Sequence, residues 1–224
     1  MSWEQIWPLI LQSLGETLYM TLPSAILSYL IGMPLGILLV VTAKDGIRPL
    51  PRLNAMLGVS VNFLRSIPFI ILLALLFPVT RVVMGRAIGT QAVIFPLVIS
   101  AFPYVARMVE GSIREVDRGV IEAAQSMGSS DWQLIRKVML PEALPSLLNG
   151  AAIVTVAILG YTAMASAAGG GGLGALAITK GLQLRKYDIM YAAALTLVML
   201  VQLISIIGSR FTRAIDHRKS AIKL

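Results

Sequence analysis

Apolar residues fill this chain in long unbroken stretches, not in the short alternating or three-four patterns of a soluble fold. No charge falls between Thr17 and Ala43, Ala87 and Ala106, Ala143 and Thr179, or Ile189 and Ser209. A fifth stretch, Leu53 to Thr80, carries only Arg65. Each reaches the roughly 20 residues that a helix needs to cross a bilayer. The pattern predicts five spans, near Thr17–Val41, Val59–Pro78, Ala87–Ala106, Leu148–Ala168 and Ile189–Ser209. A single such window fits a buried core helix. Five in 224 residues define an all-α polytopic membrane protein with no room for a separate soluble domain. Pro23, Pro34, Pro68, Pro96 and Pro103 lie inside the windows and favour a packed bundle, where freed carbonyls find other partners. Gly32 and Gly36, four apart, would allow close helix approach, though the spacing is common by chance.

Residues 1–16 have no basic region and so do not read as a secretory signal. Trp3, Ile6, Trp7, Ile10, Leu11 and Leu14 share one helical face, which predicts a short helix at the lipid–water boundary or the start of the first span.

The segment from Arg107 to Glu142 breaks the apolar pattern, holding 11 of the chain's charges against 19 Lys and Arg and 11 Asp and Glu in all. Ile121, Ala124, Gly128, Trp132, Ile135 and Met139 follow a helical spacing along it. Gly128-Ser129-Ser130-Asp131 predicts a break between two short helices, with Ser130 and Gln133 placed for a capping box. Pro141 would stop the second helix or begin the next one.

Charged residues make up only 13% of the chain, yet the net charge is +8. In a membrane protein such an excess sets topology, not nucleic-acid binding. With the 107–142 loop inside, 14 basic residues fall inside: Lys44, Arg48, Arg52, Arg65, Arg107, Arg114, Arg118, Arg136, Lys137, Arg210, Arg213, Arg218, Lys219 and Lys223. Five stay outside: Arg81, Arg86, Lys180, Arg185 and Lys186. The positive-inside rule therefore puts the N-terminus outside and a basic tail, residues 210–224 with His217, inside. Arg65 reads as a snorkelling residue at the inner end of the second span, or as a functional buried charge.

No catalytic or metal site emerges. The chain has no cysteine, no His/Asp/Glu cluster at ligand spacing and no nucleophile–base pair. Gly169, Gly171 and Gly174 formally satisfy G-x-G-x-x-G, but they end a membrane window and open no βαβ unit. No P-loop is present either. The run from Gly169 to Gly174 reads as the outer end of the fourth span, serving close packing, a pore constriction or a plain turn.

The charged segment carries a longer signature. Glu122-Ala123-Ala124 is followed by Gly128 six residues after the Glu, Val138 sixteen after, and Leu140-Pro141. This resembles the EAA loop of type I ABC-importer permeases, E-A-A-x3-G-x9-I-x-L-P, with Val138 in place of Ile. Further stretches are similar to the methionine-importer subfamily: Arg65-Ser66-Ile67-Pro68-Phe69, Ala106-Arg107-Met108-Val109-Glu110, Gly160-Tyr161-Thr162-Ala163-Met164 and Gly171-Gly172-Leu173-Gly174. The resemblance covers most of the chain. It implies a permease for L- and D-methionine in the bacterial inner membrane. It also implies a homodimer with two copies of a cytoplasmic ATPase, which would bind the ATP and magnesium. A periplasmic binding protein, lipid-anchored in many members, would dock outside. It assigns ATPase coupling to Ile121, Glu122, Ala123, Ala124, Gly128, Leu140 and Pro141.

Polar candidates for the translocation pathway are Asn62, Ser100, Tyr104, Tyr161, Thr162 and Ser166, with Met164 offering a soft surface to a thioether. The competing reading for the hydroxyls is a bond back to their own helix. Rival functions are a permease for another small solute and an ion-coupled carrier. The spans hold no Asp or Glu for a proton relay, although a sodium site of carbonyls stays open. A membrane scaffold would leave the loop pattern unexplained.

Overall fold

The computed structural model describes residues 3–215, apart from the side chain of Trp3; the tail beyond Ile215, including His217, lies outside the described residues. The first helix, α1 (Trp3–Val41), runs 39 residues without a break, about 58 Å at the usual rise. The boundary expected at residue 16 is absent. Residues before Thr17 are the first turns of α1, because Ile6 and Ile10 are buried with Leu173, Leu176 and Ile189, which extends the packed helix upstream. The expected amphipathic face is divided, since Trp7 and Leu11 point outward.

A tight loop leads to α2 (Pro51–Ser66). The expected second span is then broken. Ile67 and Pro68 are extended, and α3 (Phe69–Leu75) leaves at 100° to α2. The residue before a proline is biased out of the helical region. Yet Pro23, Pro34 and Pro103 ride inside helices, so proline alone does not decide. Contacts on both sides of the Pro68 break hold it: Arg65 lies over Tyr104 and Phe69 stacks on Tyr161. Arg65 sits in the last turn of α2, about 21 Å along the helix from Pro51. Next come α4 (Phe77–Met84) and α5 (Ile94–Arg114). The third span was expected from Ala87. It begins seven residues later, after turns at Gly85 and Gly89, and extends into the charged segment.

The charged segment forms the expected hairpin of α6 (Arg118–Ser126) and α7 (Asp131–Leu134). Pro141 does not stop a helix; it lies in the first turn of the next, but no break separates that helix from the hairpin. A π-helical turn, Ile135–Met139, joins α7 to α8 (Leu140–Met164), and Leu140 N–H donates to Ile135 O. The widened turn directly precedes Pro141, whose ring would otherwise meet the carbonyl of Lys137. The helical run from 131 to 168 is therefore continuous. After Gly169 the chain turns back through α9 (Gly172–Ala175) and a π-helical stretch, Leu176–Gln183. The last helix, α10 (Tyr187–Ile215), includes Arg210 and Arg213, which were expected in the tail.

Among the described residues, four helical stretches are long and apolar enough to cross a membrane, and a fifth is added if the bent α2–α3 pair counts as one span. The core lies between α1, α5 and α8, around Met20, Leu97, Val105, Val109, Val154 and Ile158. The α1–α5 contact is the most extensive of the helix pairs. Ser24, Ser28, Gly32 and Gly36 recur every four residues along α1, and both serines are fully buried. A Cβ on Gly32 would lie 2.6 Å from Phe102 O, and one on Gly36 would lie 2.6 Å from Ala106 O. The glycine spacing thus sets a backbone-to-backbone approach. We predict that Gly32→Leu destabilises the bundle by about 1–3 kcal/mol. Thermal unfolding in detergent should show a lowered midpoint, while Gly15→Ala, where a Cβ meets nothing within 4 Å, should not lower it.

Candidate functional site

Two regions carry the sequence-derived candidates. The first is the hairpin. Asp117 caps α6 by accepting a bond from Gly119 N–H at 2.6 Å. Gly128 adopts φ +81°, a conformation open to glycine at little cost, and reverses the chain. Ser130 Oγ then accepts from Gln133 N–H at 3.4 Å, and Gln133 Oε1 accepts from Ser130 N–H at 3.0 Å, completing the capping box.

Of the seven coupling candidates, Ala124 is buried and Ile121 and Leu140 are half-buried on the core. Glu122, Ala123, Gly128 and Pro141 are exposed. The apolar stripe read along the segment holds at Ile121, Ala124, Ile135 and Met139, which pack inward. Gly128, at the turn, and Trp132, 66% exposed, do not belong to it, while Leu134 and Val138 join the inward face. Met127 is 80% exposed, five residues before Trp132, and Val120 is exposed about two turns earlier on α6. Met127 and Trp132 thus leave a large, adaptable apolar area uncovered on a small charged hairpin.

The second region surrounds the Pro68 break. The Arg65 guanidinium lies 5.4 Å from the centre of the Tyr104 ring. Phe69 stacks on Tyr161 with ring centres 5.0 Å apart and planes 16° from parallel. Tyr104 and Tyr161 thus each contact one side of the same break in the chain. Of the other candidates, Thr162 is buried and donates to Leu159 O at 2.7 Å, and Ser166 donates to Ala163 O at 3.4 Å, so both hydroxyls bond their own helix. Asn62 is exposed on α2, Ser100 is half-buried on α5, and Met164 is exposed at the end of α8.

The glycine run is neither loose nor a nucleotide loop. Gly171 N–H donates to Thr90 Oγ1 at 3.2 Å, Gly172 N–H to Glu16 Oε2 at 2.7 Å, and Leu173 N–H to Thr17 Oγ1 at 2.9 Å. These side chains cap the returning helix. A Cβ on Gly174 would lie 2.2 Å from Ala163 Cα, so the return packs flat on α8. Sequence reasoning missed Glu16 and Thr90 here. It also missed Asp45, Arg114 and Arg118, which meet at the base of α6. Asp45 had one visible signal: it is the sole acid between Glu16 and Glu110.

A helical bundle with membrane-length apolar helices and a structured charged hairpin at one end has the architecture of a transporter's membrane component. Residues 32–221 match the family described as "Binding-protein-dependent transport system inner membrane component", and the chain belongs to it. It is a multi-pass permease subunit of an ABC transporter, whose ATPase is a separate component. Among its relatives is the probable D-methionine transport system permease protein MetI of Vibrio cholerae serotype O1, 45% identical over 94% of this chain and 93% of that protein. The methionine import system permease protein MetP of Bacillus subtilis is 43% identical over 91% of each chain. Among solved structures, a chain of the MetNI methionine ABC transporter in an inward-facing conformation superposes with a TM-score of 0.94. It is 43% identical, and the match covers 97% of this chain and 100% of that one.

The capping box should be measurable alone. Ser130→Ala should weaken the start of α7 by about 1 kcal/mol. Amide exchange at Asp131 to Gln133 should then speed about fivefold in detergent, with the core of α5 unaffected.

Proposed function

We propose that this chain is the permease of an ATP-driven importer that carries methionine, L- and D-, across the bacterial inner membrane. The observation that carries the coupling part is the hairpin: a separately capped element whose Met127, Trp132, Glu122 and Ala123 face away from its own bundle. Two copies of a cytoplasmic ATPase occupy that surface, one on each protomer of a homodimer. They bind the ATP and magnesium, and their closure pulls on Ile121 to Gly128 and on the Leu140-Pro141 end of the hairpin. The small Ala123 side chain lets a partner approach α6 closely, and Glu122 offers it a charge.

The substrate is supported by relatives named for D-methionine and methionine transport at 43–45% identity over more than nine-tenths of the chain. The orientation follows the basic residues: hairpin and C-terminus in the cytoplasm, N-terminus in the periplasm. A periplasmic methionine-binding protein, anchored by lipid, delivers substrate to that side. The homodimer reading draws support from α2 to α4, where Met56, Val59, Phe63, Leu75 and Val82 remain uncovered by the chain's own helices. The pathway runs beside the Arg65–Tyr104 and Phe69–Tyr161 contacts, with Asn62, Ser100 and Met164 as weaker candidates. Thr162 and Ser166 are already spent on their own helix.

The test is uptake of labelled L-methionine in cells lacking their own importer, with the neighbouring ATPase and binding protein co-expressed. Uptake should require the ATPase and be competed by D-methionine. Competition by a different amino acid instead would overturn the substrate, and uptake without the ATPase would overturn the coupling. In the same cells Glu122→Lys and Gly128→Val should each abolish most uptake while the protein still reaches the membrane. For Gly128 the cause is backbone strain, because a Cβ there meets nothing within 4 Å.

A further inference from the structure

The hairpin leaves the bundle through three residues, Glu115 to Asp117, between the end of α5 and the start of α6. One arginine stands on each side of this joint. Arg114 closes α5 and Arg118 opens α6, and both turn to the same carboxylate. Arg118 Nη2 bonds Asp45 Oδ2, and Arg114 Nη1 lies 3.9 Å from Asp45 Oδ1. Asp45 itself is on a rigid mount. Gly46 N–H donates to Ala43 O, Arg48 N–H to Val41 O and Leu50 N–H to Thr42 O, each at 3.0 Å. Asn54 Nδ2 donates to Leu39 O at 2.6 Å and to Thr42 Oγ1 at 3.0 Å. These bonds use the orphan carbonyls at the end of α1, so the loop moves with that helix.

The charges continue beyond Asp45. Arg114 Nη2 bonds Glu110 Oε1 at 3.1 Å, Glu110 Oε2 bonds Arg107 Nη1 at 2.6 Å, and Arg107 Nη2 donates to Gly58 O of α2 at 3.0 Å. A continuous polar chain thus links α6 to α2, the helix that bears Arg65. Exposure falls along it, from 74% at Arg118 and 43% at Asp45 to 12% at Glu110. The deep pair is a fixed strut, while the outer pair is solvated and weak enough to break and reform. A cavity of about 230 Å³ bounded by Asp45, Ile47, Arg118, Ile121 and Met139 leaves α6 room to swing on the joint.

We propose that Asp45 is a positioning residue for ATP-driven transport. By holding Arg114 and Arg118 on one carboxylate, it sets the angle at which the coupling helix leaves α5 and ties that angle to α1 and α2. The proposal rests on the reading that α6 takes the force of the ATPase.

The test uses the whole complex, with ATPase and binding protein, in lipid vesicles. The measured quantity is methionine imported per ATP hydrolysed. Asp45→Asn and Arg118→Gln should each lower this ratio roughly three- to tenfold, the range expected of a coupling contact, with assembly unchanged. The double variant should be no worse than the worse single one, because the two residues act as a unit. Asp45→Glu should restore most of the ratio. An unchanged ratio in Asp45→Asn, or losses that multiply in the double variant, would overturn the proposal. So would failure of Asp45→Asn to assemble, which would make the carboxylate a folding element. A wild-type complex that hydrolyses ATP but moves no methionine would overturn the substrate reading instead.

Discussion

The close approach of α1 and α5 is the constraint on which the rest of the structure depends. A four-residue repeat of small side chains brings the two backbones together, and no larger residue fits at Gly32 or Gly36. In lipid there is no hydrophobic drive to press helices together, so packing of this kind supplies the association. Both helices also end at the same level. The last turn of α1 leads into the loop that carries Asp45, and the last turn of α5 leads into the hairpin. Fixing one helix on the other therefore fixes the charges at the base of α6.

From that seam the two candidate regions diverge. Toward one end, α5 passes through Arg114 into a hairpin that leaves Met127 and Trp132 uncovered, in a permease whose ATPase is a separate component. Further along the same helix, Tyr104 receives Arg65 from α2, while Phe69 of α3 stacks on Tyr161 of α8. The break at Pro68 is thus braced by α5 on one side and α8 on the other. Helix α5 contributes to both regions, and α8 grows directly out of the hairpin through the π-helical turn. Force applied at α6 has two covalent routes into the bundle and one ionic route through Asp45.

The sequence made some of this legible and hid the rest for identifiable reasons. Long charge-free windows announce membrane helices because lipid forbids unpaired charge. Ser130 and Gln133 announce their cap because it needs only four consecutive residues. What stayed hidden depends on contacts between distant residues. Pro68 breaks its helix and Pro103 does not, a difference decided by stacking across the bundle. Gly32 and Gly36 look like chance spacing until Phe102 and Ala106 are opposite them. The glycine run is a closely packed return because Glu16 and Thr17 cap it from more than 150 positions away. The run of helix through Pro141 was unreadable because a π turn leaves no strong local signature. The hairpin and most of its apolar stripe were legible as a pattern, but the outward placement of Trp132, in the first turn of α7, was not.

One measurement bears most directly on the central claim that the hairpin is where the ATPase takes hold. The chain has no cysteine, so a single one can be introduced without background. Met127→Cys carrying a photo-crosslinker, in the complex assembled with its ATPase, should cross-link to the ATPase in high yield. The same probe at Val82→Cys on α4, an equally exposed apolar position, should not. Absence of an ATPase cross-link at 127, or equal yields at both positions, would contradict the account.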